Sequence, residues 1–120
     1  MSTSAFVLTG GAADRIREKI SDTTAHDVAG NATRQTPVVW FQVNEISGGT
    51  PNLTVAVYNA STTTSYYLGT GGSTWNAKAM TAKQSVTFNE GIMLEPNEFL
   101  RITISASAAD VVGLALLSND

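Results

Sequence analysis

The chain has one histidine. His26 stands next to Asp27 and four residues after Asp22, in the run Asp-Thr-Thr-Ala-His-Asp. An imidazole held by a carboxylate is the arrangement that makes histidine a general base, and a hydroxyl nucleophile in contact with it would complete a hydrolytic triad. No Gly-x-Ser-x-Gly elbow accompanies it. Metal binding would need further ligands from elsewhere, and the spacing fits no ligand signature. His26 is therefore read as an exposed or locally capped loop residue. The hydrolase alternative requires a carboxylate or serine against the ring.

Glu90, Glu95 and Glu98 are the clustered carboxylates of the C-terminal half. Glycoside hydrolysis needs two facing carboxyl groups at a defined separation, whereas Glu95 and Glu98 flank a turn at Pro96-Asn97 and are expected in solvent. Gly69-Thr70-Gly71-Gly72 has the glycines of a phosphate loop, but it lacks the following helix and the Lys-Ser/Thr pair, so a hairpin tip is expected. Tyr58, Tyr66, Tyr67 and Trp75 leave three readings open: a sugar-stacking platform, a protein interface or cross-strand packing. Lys78 and Lys83 lie in a weakly alternating stretch, where lysine protects a sheet edge or pairs with a neighbouring subunit.

The elements that must position these residues are mostly strands. One segment has a helical period: in GAADRIREKISD, Ala13, Ile16 and Ile20 fall at i, i+3 and i+7, predicting a helix of about three turns that must dock on something to persist. Residues 21–37 carry neither period and are expected to form an extended arm. From Pro37 onward the period is two. Val39, Phe41 and Val43 are expected on one face and Trp40, Gln42 and Asn44 on the other. Leu53, Val55 and Val57 follow, then Val86 and Phe88, Ile92 and Leu94, and Leu100, Ile102 and Ile104. DVVGLALLS is apolar at both parities, which predicts a central strand covered on both sides, with Gly113 at a bulge or close backbone approach. The expected architecture is all-β: an antiparallel β-sandwich, jelly-roll-like, over residues 38–120, preceded by a helix and arm over residues 1–37.

Composition narrows the function classes. The 120 residues carry a net charge of −3, with only 14% charged and no cysteine. Scattered basic residues leave no nucleic-acid footprint. No apolar run reaches the length of a membrane helix, and the first residues lack the basic region of a signal peptide. Without thiols, disulfides and zinc-thiolate sites are excluded, and folding in a cytoplasm is expected.

The succession LTVAVYN…TSYYLG…NAKAMTAKQSVTFNEGIMLEPNEFLRITISASAADVVGLALL resembles the small β-sandwich virion proteins of tailed bacteriophages. The likeness covers residues 53–117, and it departs from the usual pattern at Asn97, where glycine is common after the turn proline. It implies a non-enzymatic role, with no cofactor, in a virion assembled in the host cytoplasm. The chain would be a capsid decoration (cement) protein, as a homotrimer that contacts the major capsid protein and copies of itself. Ile16, Ile20, Arg34, Tyr66, Tyr67, Trp75 and Lys78 are the residues expected at such interfaces. A neck or tail adaptor, or a glycan-binding sandwich of a tail fibre using Trp75, Tyr66 and Tyr67, is the alternative.

Overall fold

Residues 13–20, which carry the helical period, form a strand. The computed structural model describes residues 13–116, and every regular element among them is β. In chain order these are β1 (Ala13–Ile20), β2 (His26–Asn31), β3 (Thr36–Glu45), β4 (Asn52–Asn59), β5 (Thr64–Tyr67), β6 (Gly69–Thr70), β7 (Ser73–Thr74), β8 (Lys78–Ala79), β9 (Ser85–Phe88), β10 (Ile92–Leu94), β11 (Glu98–Ile104) and β12 (Ala109–Leu116). Ile16 and Ile20 are four residues apart, a spacing that satisfies a helix face and a strand face alike. Pairing decides between them. Every residue of β1 is matched antiparallel to β12, from Ala13 opposite Leu116 to Ile20 opposite Ala109.

Two antiparallel sheets share one core. The first has the order β1-β12-β3-β10, with β9 also on β3; the second has the order β2-β11-β4-β5, with β8 also on β4. The chain alternates between sheets from β1 to β4 and again from β11 to β12. Of the expected helix and arm over residues 1–37, the described part lies along the sheets, with β2 paired along β11 and β1 along β12; residues 1–12 lie outside the described residues. A register shift between Leu100 and Arg101 lets β2 bend there.

Period-two alternation places the core. Ile16 and Ile20 of β1, Phe41 and Val43 of β3, and Val111 of β12 face Leu53, Val55, Leu100, Ile102 and Ile104 of the second sheet, all buried. Phe41 sits opposite Phe88, and their rings stack with centroids 4.5 Å apart, in the range of offset aromatic pairs. The turn after β10 has Asn97 at φ 68°, with the Glu98 amide donating to the Glu95 carbonyl at 3.0 Å; this is the left-handed position that glycine or asparagine tolerates.

Two face assignments differ from the alternation. On β3, Val38 is buried, while Val39 and Trp40 both face solvent. The β12–β3 register shifts between Leu114 and Ala115, so β3 carries one extra residue there. That bulge flips the parity expected for Val39. β12 is interior to its sheet, as its apolar run predicts, yet its outer residues Val112, Leu114 and Leu116 stay partly exposed, because no second layer covers that face among the described residues. Gly113 sits beside the bulge, where a Cβ would collide with the Trp40 carbonyl oxygen and the Phe41 backbone.

Candidate functional site

The outer face of the first sheet is built in cross-strand rows. Arg15 lies opposite Leu114, and Leu114 opposite Trp40. The next row runs Arg17, Val112, Gln42 and Thr87, and the third runs Lys19, Asp110, Asn44 and Ser85. The sheet thus has three zones. Arg15, Arg17 and Lys19 form an exposed cationic edge on β1. Hydrogen-bonded polar pairs close the far corner: Gln42 Nε2 donates to Thr87 Oγ1 at 2.8 Å, and Ser85 Oγ donates to Asn44 Oδ1 at 2.6 Å. The other end of the sheet is apolar, where Val39 is 41% exposed, Trp40 37% and Met93 49%, beside Leu114 and Leu116. Among the described residues, no hydrogen bond or ion pair takes up Arg15, Arg17 or Lys19. Solvent-exposed apolar residues gathered on one face, rather than scattered singly, mark interaction surfaces.

The residues expected at an interface divide. Ile16 and Ile20 belong to the core of this chain, as does Trp75, only 4% exposed, so their place among surface contacts is corrected. Trp75 is locked by backbone bonds: its amide donates to the Leu68 carbonyl and its carbonyl accepts from the Val55 amide, both at 2.9 Å. The glycine run before it is a tight hairpin, β6–β7, with Gly71 and Gly72 at φ 61° and 78°, as a two-residue turn requires. Tyr66 and Tyr67 are exposed, but adjacent strand residues point to opposite faces, so they make no common platform. Lys78, on β8 at the edge of the second sheet, holds its ammonium 5.6 Å above the Trp75 ring. Arg34 is exposed in the turn between β2 and β3.

His26 is not isolated. Its Nδ1 lies 3.0 Å from Glu18 Oε2 and its Nε2 lies 2.8 Å from Asp22 Oδ1. The first contact joins the edge strands of the two sheets. The carboxylate contact that a hydrolase reading requires is present, yet both ring nitrogens are engaged, leaving none to receive a proton from a nucleophile. The carboxylates occupy opposite edges of the ring, so the three groups do not converge on a common point. The Asp22 hydrogen bond, followed by that of Glu18, raises the His26 pKa above 6.5 against the effect of burial. Asp22 is lowered to about 2 by the Thr24 hydroxyl and then by His26.

Two polar arrangements are absent from the sequence expectations. Glu45, buried at the end of β3, accepts from the Ser47 hydroxyl at 2.5 Å and from the amides of Ser47, Gly48, Gly49 and Lys83. The Ser47 hydroxyl and then the Lys83 amide hold its pKa down at about 2. The run Glu-Ile-Ser-Gly-Gly is the available signal, since small residues after a glutamate let successive amides turn toward its carboxylate. Arg101 binds Asp27 through two nitrogens at 2.8 and 3.0 Å, and its guanidinium lies 3.7 Å over the Tyr58 ring. This bidentate, stacked arginine is structural in form. Its partners are far apart in sequence, and no local signal announces them.

No family model, curated protein or solved structure matches the chain. The surface and its chemistry therefore carry the functional argument.

Proposed function

We propose that the chain is a non-enzymatic virion structural protein of the tailed-phage decoration type, which docks onto a capsid through the outer face of its first sheet. The observation that carries this reading is the apolar end at Val39, Trp40 and Met93 on the same sheet face as Arg15, Arg17 and Lys19 of β1, whose side chains have no partner among the described residues. An apolar centre drives association by burial, and flanking charge orients the encounter. The complementary partner is a protein surface with an apolar centre and a carboxylate margin. Self-association into a trimer belongs to the same proposal.

Two further points support it. The strand orders β1-β12-β3-β10 and β2-β11-β4-β5 support a jelly-roll reading of the sandwich, an architecture found in capsid and lectin domains. A fold alone does not assign a role, but the sequence resemblance points the same way. The face would serve equally at a neck or tail. Light scattering for solution mass, combined with co-sedimentation with empty phage heads, tests the reading. A multimer or a head-bound species is expected. A strict monomer that ignores heads would sink it.

A further inference from the structure

The edge of β3 is shared by two short strands. β9 pairs with residues 41–44 and β10 with residues 36–38, so Val39 and Trp40 have no strand partner on that side among the described residues. The connecting turn runs through Asn89 to Gly91, with Gly91 at φ 71°. Beneath it opens a cavity of about 290 Å³. Its accessible apolar lining comes from Trp40, Leu68 and Ile92, with the buried Val38, Phe41 and Phe88 behind them. Its rim is polar: Thr70, Asn89 and Glu90, with the backbones of Gly69, Gly71 and Gly91.

We infer that this cavity binds one ring of a neutral saccharide. The lining sets the ligand's chemistry by what it offers and what it lacks. No Lys, Arg or His lines it, so an anionic ligand has no counter-charge. A purely apolar ligand would strip water from the rim without replacing its hydrogen bonds. Among the described residues, no side-chain hydrogen bond or ion pair engages Asn89 or Glu90. Thr70 donates its hydroxyl to the Thr87 carbonyl at 3.3 Å, leaving its oxygen free to accept. A carboxylate accepts from two adjacent hydroxyls, and an amide both gives and accepts. A pyranose has the matching form, with an apolar C–H face for the apolar lining and hydroxyls around its margin. Quaternary ammonium groups are held by aromatic cages. Here Phe41 and Phe88 are stacked on each other, so Trp40 is the one partly exposed ring. The volume lies near the lower end of ligand sites, roughly 300–1,000 Å³, which suits a single ring.

The test is an NMR titration of the intact chain with the methyl glycosides of glucose, galactose, mannose and N-acetylglucosamine, with tetramethylammonium as a parallel probe. Saturable shifts of the Trp40 indole N–H and the Asn89 and Glu90 amides with at least one glycoside are expected, while the Trp75 indole stays still. Glu90→Ala should weaken that binding about tenfold, the loss of a hydrogen bond to a charged group, with the rest of the spectrum retained. No shift with any glycoside at tens of millimolar would overturn the inference. So would a rim response to tetramethylammonium alone, or glycoside binding unchanged in Glu90→Ala. Glu90 is not on the β1 cationic edge, so this result stands apart from the head-binding test.

Discussion

Leu114 of β12 lies directly opposite Trp40 of β3, and the register shifts immediately beyond them. That single extra residue turns Val39 to solvent beside Trp40 and gives the first sheet its apolar outer end. Gly113 makes the arrangement possible, because the Trp40 carbonyl and Phe41 backbone occupy the space of a side chain.

Gly113→Ala should therefore destabilise the fold by about 1–3 kcal/mol, the usual cost of forcing volume into a packed site. Chemical denaturation measures it. A neutral result would mean that β12 and β3 separate there without cost.

Phe41→Ala should cost about 3–5 kcal/mol, since a fully buried ring stacked on Phe88 is removed. Equilibrium unfolding in urea provides the check, and a loss below 1 kcal/mol would contradict the packing described.

Glu45 links β3, the turn after it and the turn at Lys83. Its pKa is lowered from 4.5 to about 2, so its stabilising effect is complete above 4.5 and disappears as pH falls toward 2. Glu45→Gln should lower the melting temperature at neutral pH, and the gap from the unaltered protein should close with acidification. A gap independent of pH would show that the carboxylate charge is not what holds these turns.

His26 behaves in the opposite sense. Its pKa is raised, so its contribution is present below 6.5 and fades as pH rises through the folded-state value. Glu18 and Asp22 face the ring directly, whereas the neighbouring Asp27 is bound by Arg101. In thermal melts, His26→Gln should lose more stability at about pH 5.5 than at about pH 8.5. Equal losses would mean that the imidazolium form contributes nothing.

The legible and illegible parts of the fold have distinct physical causes. Leu100, Ile102 and Ile104 on β11, like Val86 and Phe88 on β9, declare their faces in the sequence because each strand alternates without interruption. β1 does not, since an i, i+4 isoleucine pair fits both periods and only the distant β12 chooses between them. The bulge at Val39 is equally non-local: four consecutive apolar residues hide which one is extra. Trp75 reads as a surface aromatic next to a glycine turn, yet its backbone bonds to Val55 and Leu68 draw it into the core. The outer face of the first sheet was partly announced by the second apolar parity of β12, which has no covering layer among the described residues.

The measurement bearing most directly on the docking proposal is co-sedimentation with empty phage heads of the unaltered chain, of Val39→Asp/Met93→Asp, and of Arg15→Glu/Arg17→Glu. All four positions face solvent, so both variants should melt close to the unaltered protein. Saturable binding of the unaltered chain is expected, with loss of binding in the first variant and weaker, less salt-sensitive binding in the second. Absence of head binding by the unaltered chain, or undiminished binding by Val39→Asp/Met93→Asp, would contradict the assignment of this face.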